Sequence, residues 1–219
     1  IPSDLLSQGM RRRIKVPFTG MRLNMGTCRK VLMFGGAGTK SPVPPIVEGV
    51  ERWTINNLIR LPGGARRFDG LTRHFDLHWK DHIVGRKSGN IWGWYQRLQA
   101  PVMMWEKYPD LPTSEVFPHA AVRAMFGGTR LFTSSLDWLI AYALFKGFEE
   151  IELYGYRMGH PHYLYQVGSG RWWLKQCRDR GVKVTHLSPS MLASISRDVE
   201  FKPPQPDSTH LMYGLETTD

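Results

Sequence analysis

Short apolar runs alternate with longer helical stretches along the middle of this chain. Runs of five or six mainly apolar residues that end in glycine or in polar residues are typical of buried strands. The longer stretches end at Gly147 and Gly181, and glycine commonly follows the last turn of a helix. The pattern predicts strands at 30–34, 51–56, 74–78, 101–105, 131–132, 150–154 and 182–187, and helices at 89–99, 134–145 and 169–180.

Strands that alternate with helices indicate the α/β class. Such chains form a mostly parallel sheet with helices on both faces. We therefore predict one Rossmann-like domain over residues 28–197. Residues 1–27 lack periodicity and predict a basic N-terminal arm. Residues 198–219 predict a C-terminal tail, because Pro203, Pro204 and Pro206 oppose a helix there.

Composition supports a folded domain. Hydrophobic residues make up 42% of the 219 positions and charged residues 22%, a mixture that can bury a core. No apolar run of membrane-spanning length occurs, so we expect no membrane span. No secretory leader is recognised near the start. Cys28 and Cys177 are too few for a disulfide framework or a multi-cysteine zinc site, so we expect a cytoplasmic protein without a bound metal.

The charge of the chain is unevenly distributed. The net charge is +10, from 29 basic and 19 acidic residues. Basic residues concentrate in the first thirty positions, where the only acidic residue is Asp4. The positive electrostatic field of these basic residues attracts polyanions such as nucleic acid. We predict contacts to DNA or another polyanion from Arg11, Arg12, Arg13 and Lys15, although a basic arm that only keeps the protein in solution is the alternative.

Glycines follow the first predicted strand. In parallel sheets ligands bind beyond the carboxyl ends of the strands. Glycines there let backbone N–H groups approach a phosphate. The sequence therefore predicts phosphate contacts from Gly35, Gly36, Gly38 and Thr39. A plain strand-to-helix turn is the alternative, since the segment matches neither GxGxxG nor the Walker loop.

Polar residues end two further predicted strands. Asn56 and Asn57 offer donors and acceptors that suit a ribose, a sugar or a base edge, or they cap the next element. Thr133 and Ser134 precede an apolar helix, whose N-terminus attracts phosphate. A cap with no ligand is the alternative for Ser134. We predict that Asn56, Asn57, Thr133 and Ser134 bind a nucleotide.

Three histidines are candidates for acid–base chemistry. Asp76 and His78 lie two residues apart on a predicted strand, so both face the same side. An Asp–His pair can move a proton or have a structural role. His160 and His162 lie in the segment 154–166, which also holds four tyrosines, and polar aromatic residues after a buried strand suit phosphate contacts and base stacking. A packed surface loop is the alternative for this segment. Trp92 and Trp94 are more simply core residues than base-stacking residues.

The order of these motifs resembles a known family. Thr133-Ser134-Ser135 opens an apolar helix, residues 147–151 (GFEEI) lead to a glycine at 155, and residues 162–169 and 181–194 close the series. This arrangement is similar to that of bacterial sialyltransferases of the Campylobacter type. It is also similar to Rossmann-like flagellin-glycosylation accessory factors and to small phage proteins of that group. The resemblance covers roughly residues 30–195.

The resemblance implies a nucleotide-activated donor and no cofactor. The donor would contact Gly36, Gly38, Asn56, Thr133 and Ser134, with Tyr156 and Tyr163 at its phosphates. The family's general-base histidine has no clear match, because Gln166 lies near that position. His160 or His162 would then substitute for it, or the activity is lost.

Two functions follow from the sequence. The first is a glycosyltransferase-like enzyme that works without metal and moves a group from a nucleotide sugar to an acceptor hydroxyl, with His78, His160 or His162 as base. Modified DNA or another polyanion is a candidate acceptor. The second is a non-catalytic Rossmann-like module that binds nucleic acid or a larger assembly, such as that of a phage, through its basic arm. A homo-oligomer is a further candidate partner.

Overall fold

A computed structural model describes residues 28–35, 43–56, 58, 69–85, 89–156 and 164–187. Their seven strands and five helices are β1 (Lys30–Phe34), β2 (Val50–Ile55), β3 (Arg73–Phe75), α1 (Lys80–Val84), α2 (Ile91–Tyr95), β4 (Val102–Met104), β5 (Ser114–Val116), α3 (His119–Met125), α4 (Ser135–Phe145), β6 (Glu150–Tyr154), α5 (Leu164–Asp179) and β7 (Lys183–His186). The predicted arm at 1–27 and tail at 198–219 lie outside the described residues.

All seven strands form one parallel sheet, which confirms the predicted fold class. The strand order is β5-β4-β3-β2-β1-β6-β7. The strands β2 to β5 lie in order on one side of β1. The chain then crosses back, and β6 lies on the other side of β1. The direction of winding therefore reverses between β1 and β6. In open α/β sheets this reversal opens a crevice at the carboxyl ends of the two strands.

Helices cover both faces of the sheet, as the sequence predicted. Successive side chains of a strand point to opposite faces. On β4, Val102 and Met104 pack in a cluster with residues of α1 and α2. Met103 between them joins the second, larger cluster, which contains α4. The two clusters therefore lie on opposite sides of β4.

The helix α4 is the most deeply buried helix of the described part. Its sequence SLDWLIAYALF is apolar on all sides, and every residue from Ser135 to Leu144 is buried. A helix that is apolar all round belongs in the interior. Trp138 stacks on Phe132 with 3.6 Å between ring centroids. Trp173 of α5 is fully buried beside Phe132, so tryptophan here mainly builds the core, as predicted.

Several boundaries differ from the predicted ones. The third strand ends at Phe75, so Asp76 and His78 follow β3 instead of lying on it. No strand forms at 131–132. There the Leu131 carbonyl accepts from Trp173 Nε1 at 2.6 Å, and the Phe132 ring enters the core. The helix α5 begins at Leu164, five residues before the predicted start at 169. The short elements β5, α1 and α3 carry too little periodicity to be predicted.

No helix among the described residues combines the length and apolar character that crossing a bilayer requires.

Candidate functional site

The carboxyl ends of four neighbouring strands bring the predicted site residues to one edge of the sheet. Gly35 follows β1, Asn56 follows β2, Asp76 and His78 follow β3, and Tyr156 follows β6 by two residues. Neighbouring parallel strands end at the same edge, so these residues share it. Thr133 and Ser134 precede α4 and reach the same edge, because the side chain of Asn56 contacts Ser135.

Asp76 and His78 form a buried hydrogen-bonded pair. His78 Nδ1 lies 2.5 Å from Asp76 Oδ1, and Asp76 has no exposed surface. The hydroxyl of Tyr95, on α2, donates to Asp76 Oδ2 at 2.5 Å. Each carboxylate oxygen therefore has a partner, and the carboxylate is fixed between two side chains. In the neutral tautomer with the proton on Nδ1, a histidine held this way leaves Nε2 as an acceptor.

Asn56 connects this pair to the start of α4. It is the only described non-glycine residue with a positive φ, at 51°. Asparagine adopts the left-handed region more readily than most residues. Its carbonyl accepts from the Tyr95 hydroxyl at 3.0 Å, and its side chain Nδ2 donates to Ser135 Oγ at 3.3 Å. A continuous hydrogen-bonded chain thus runs from His78 to the N-terminus of α4.

Ser134 caps α4. Its hydroxyl accepts from the backbone N–H of Asp137, and the Asp137 side chain accepts from the backbone N–H of Ser134, which makes a capping box. Asp137 Oδ2 also accepts from the Thr133 N–H at 2.8 Å and the Ser169 hydroxyl at 2.8 Å. The capping role considered for Ser134 is therefore present. Any nucleotide contact by Thr133 or Ser134 stays a prediction.

Asp137 is fully buried, and burial raises its pKa to about 7 against the opposing effect of its hydrogen bonds. Its second oxygen, Oδ1, has no hydrogen-bond partner among the described residues. Desolvation disfavours the charged carboxylate, and an oxygen without a donor adds to that penalty. The Ser169 bond also ties the start of α4 to α5.

Tyr156 lies against the backbone at the point where the winding reverses. A Cβ atom placed on Gly35 would lie 2.7 Å from two carbons of the Tyr156 ring and 2.9 Å from the Gly155 carbonyl oxygen. The Tyr156 hydroxyl donates to the Phe34 carbonyl at 3.2 Å. Burial raises the pKa of that hydroxyl. Glycine at 35 is thus required by an aromatic ring, and the phosphate contacts predicted for Gly35 and Tyr156 stay predictions.

His74 is a second buried histidine at this edge. Its Nδ1 lies 2.8 Å from the Thr54 hydroxyl, and its ring packs on Tyr95 with 4.7 Å between centroids. Burial lowers the pKa of His74 to about 4, although the neighbouring Asp76 opposes the shift. His74 is therefore a neutral, structural residue at physiological pH.

The structure divides the predicted site residues into three sets. Asn56, His78, Thr133 and Ser134 lie in or next to the hydrogen-bonded chain at the carboxyl edge. Gly35 and Tyr156 contact each other. The remaining predictions fall outside the described residues: Gly36, Gly38, Thr39, Asn57, His160, His162, Tyr163, Arg11, Arg12, Arg13 and Lys15.

The sequence analysis missed four residues that hold the site together: Tyr95, Ser135, Asp137 and Ser169. Asp137 had a signal, because Ser134 and Asp137 are spaced as a capping box. Tyr95 had none, since nothing in its spacing relates it to Asp76. Among the described residues, no group of three or more His, Cys, Asp or Glu is placed to hold a metal ion.

The Asp76 carboxylate should set the tautomer of His78. We expect the neutral His78 ring to carry its proton on Nδ1, because Nδ1 faces Asp76 at 2.5 Å. Long-range ¹H–¹⁵N NMR of the histidine rings measures this directly. Asp76→Asn should increase the Nε2–H form. His82, which is exposed and stacked on His78, serves as the control ring. A wild-type His78 protonated mainly on Nε2 would contradict the expectation.

Gly35→Ala should destabilise the fold, because its methyl group would overlap the Tyr156 ring. We expect a loss of about 1–3 kcal/mol in the free energy of unfolding, as is typical of overpacking. Urea denaturation measures it. Gly49→Ala is the control, because a Cβ there meets no atom within 4 Å and any effect reflects its φ of +76°. An unchanged stability of Gly35→Ala would show that the ring moves away easily.

His74 and Asp137 should make opposite contributions to the pH dependence of stability. The folded pKa of Asp137 is raised to about 7, so its contribution is present at low pH and is lost as the pH rises towards 7. The folded pKa of His74 is lowered to about 4, so its contribution is present above the ordinary histidine pKa and is lost as the pH falls towards 4. Between these limits each slope is at most about 1.4 kcal/mol per pH unit.

Two variants separate these contributions in urea titrations from pH 4 to pH 6.5, the range between the lowered and the ordinary pKa of His74. Asp137→Asn should make stability rise more steeply with pH than in the wild type, because only the His74 contribution of the two remains. In His74→Gln only the Asp137 contribution of the two remains, so the stability should fall with rising pH relative to the wild type. Parallel curves for all three proteins would show that neither group is shifted in this way.

Comparison of the chain with protein-family models, with curated proteins and with solved structures found no match.

Proposed function

We propose that this chain is a group-transfer enzyme of the glycosyltransferase type, which uses a nucleotide-activated sugar as donor and a hydroxyl group as acceptor. The observation that carries the proposal is the Asp76–His78 pair at the carboxyl edge, with Asp76 fully buried. This edge is where parallel α/β sheets bind ligands. The resemblance of the motif order to bacterial sialyltransferases supports the donor class.

His78 would act as the general base. With its Nδ1 proton held by Asp76, its Nε2 takes the proton of the acceptor hydroxyl while that oxygen attacks the anomeric carbon of the donor. The bond between the anomeric carbon and the phosphate oxygen breaks, and the nucleotide leaves with that electron pair. The proton ends on Nε2. Asp76 stabilises the resulting imidazolium, and Tyr95 keeps the carboxylate in place.

The positions around the pair would provide the donor site. Asn56 and the N-terminal residues of α4 lie on the hydrogen-bonded chain that ends at His78. Helix N-termini favour the negative charge that develops on a leaving phosphate. His160, His162, Tyr163 and the glycines at 36 and 38 complete this proposal as further candidates. The +10 charge supports a polyanionic acceptor, with modified DNA as one candidate.

His78→Gln tests the chemistry. The full-length protein is incubated with cytidine and uridine nucleotide sugars, and release of free nucleotide is measured with and without candidate acceptors. We expect His78→Gln to lower the rate by about 10²–10⁴-fold while nucleotide affinity stays near the wild-type value. His82→Gln is the matched control, because this neighbouring histidine is exposed and its ring stacks on that of His78. Equal rates for His78→Gln and the wild type would exclude His78 as the base.

A non-catalytic binding module is the second candidate. It is favoured by the Tyr156 ring, which covers Gly35 at the reversal point, and by the capping role of Ser134. Calorimetry separates the two candidates. Absence of binding at millimolar CMP, UMP, UDP and CMP-sugars would exclude the transferase. DNA binding that depends on salt, is lost on deletion of residues 1–27 and occurs without binding of any of these nucleotides would favour the module.

A further inference from the structure

Arg52 is a buried cation in the middle of β2. Only 3% of its surface is exposed. Arginine is rarely buried unless its charge is paired, because desolvation of an unpaired charge is unfavourable. Burial accordingly lowers the pKa of Arg52. The neighbours of the guanidinium group therefore decide what the residue does.

The guanidinium of Arg52 contacts its described neighbours through one nitrogen and through one face of its plane. Nη1 donates to the carbonyl of Pro44 at 3.0 Å and to that of Pro45 at 2.9 Å. The central carbon lies 5.0 Å from the centroid of the Phe34 ring. These contacts fix the plane of the group. Nε is buried and has no hydrogen-bond partner among the described residues, and no described residue is recorded as an acceptor for Nη2.

Arg73 on β3 is a comparison for Arg52, because its guanidinium forms an ion pair with a carboxylate in the same sheet. Its Nε also has no hydrogen-bond partner among the residues that the structure describes, but its Nη1 lies 2.9 Å from Glu115 Oε2. No described carboxylate lies within ion-pair distance of Arg52. The exposed Asp69 acts on it only at longer range, by raising the pKa that burial lowers. Among the described residues, the guanidinium of Arg52 therefore makes direct contacts only with carbonyl dipoles and an aromatic ring.

The position of Arg52 relates it to the carboxyl edge. Its register partner on β1 is Leu32, and Phe34, next on that face, directly precedes Gly35. Thr54 lies on the same face as Arg52, about 6.6 Å further along β2 towards the candidate site. The Cα of Arg52 is thus one side-chain layer below the edge at which β1 and β2 end, and its guanidinium lies against the ring of Phe34.

We propose that the Nε–Nη2 edge of Arg52 binds a phosphate group, and that this phosphate belongs to the nucleotide of the proposed donor. This edge of a guanidinium presents two parallel N–H donors, whose spacing matches two oxygens of one phosphate. A phosphate also supplies the negative charge that no described side chain places beside Arg52. The phosphate site rests on the geometry of Arg52, and only the identity of the ligand as a nucleotide rests on the proposed function.

The first test follows the arginine Nε–H groups of the full-length protein by ¹H–¹⁵N NMR. Inorganic phosphate, CMP and UMP are titrated separately. The Arg52 resonance, assigned by its loss in Arg52→Lys or, if that variant does not fold, through its own side-chain carbons, should shift in a saturable way. The Arg73 resonance should stay in place and serves as internal control, since its charge is paired with Glu115. An unmoved Arg52 resonance under all three ligands overturns the proposal.

The second test measures nucleotide affinity by calorimetry. Arg52→Lys keeps the charge and loses the two-donor edge, so the affinity for CMP or UMP should fall about 10- to 100-fold. Arg73→Lys should leave it unchanged. Equal nucleotide affinity for Arg52→Lys and the wild type overturns the phosphate site and leaves the proposed function standing. A saturable response of Arg52 to phosphate without binding of any nucleotide supports the site and removes the proposed function.

Discussion

The pairing of β1 with a parallel strand on each side is the constraint from which the rest of the structure follows. Lys30–Phe34 is hydrogen-bonded to β2 along one edge and to β6 along the other. Neither edge of β1 is therefore open. Helices cover both faces of the sheet, and the residues of β1 from Val31 to Phe34 are all buried. Because β2 precedes and β6 follows the reversal of winding, the crevice opens at the end of β1.

Most buried polar groups at this edge lie in hydrogen-bonded pairs and networks, although Asp137 Oδ1 has no partner among the described residues. The Asp76 carboxylate is held by His78 and Tyr95, and the Asp137 carboxylate by backbone N–H groups and Ser169. Fully buried charges need such partners. The two networks meet at Asn56 and Ser135, at the start of α4. The residues after β2 and β3 and the start of α4 carry the candidate chemistry. The same segments connect the part of the sheet formed by β1 to β5 with the part that begins at β6.

Much of the fold could be predicted from the sequence. Apolar runs that end in glycine located β1 and β6 closely, the run after Gly181 located β7, and the apolar stretch before Gly147 located α4. The third strand was predicted too long, because the alternation in HFDLH continues beyond Phe75 although the chain leaves the sheet there. The short elements β5 and α3 have too few residues for their pattern to differ from that of loops.

The candidate site could be predicted only in part. Asn56, Asp76 and His78 could be identified as candidates, because each is a polar residue in the last positions of a predicted strand. The role of Tyr95 could not, since it depends on the way α2 packs over β3, which no local pattern encodes. The buried Arg52 was missed for the same reason. Its sequence neighbours do not reveal that the Phe34 ring and two proline carbonyls would surround it.

The register of β1 has a consequence for biosynthesis. Lys30 pairs with Val50 on one side and with Glu150 on the other, so its second neighbour is made 120 positions later (150 minus 30). Until the ribosome has released that segment, the central strand carries an open, apolar edge of the kind that associates with other chains. Contacts between such distant positions also form slowly. The crevice at the end of β1 is therefore completed late, after the nascent polypeptide has been exposed to aggregation during the synthesis of the segment between β1 and β6.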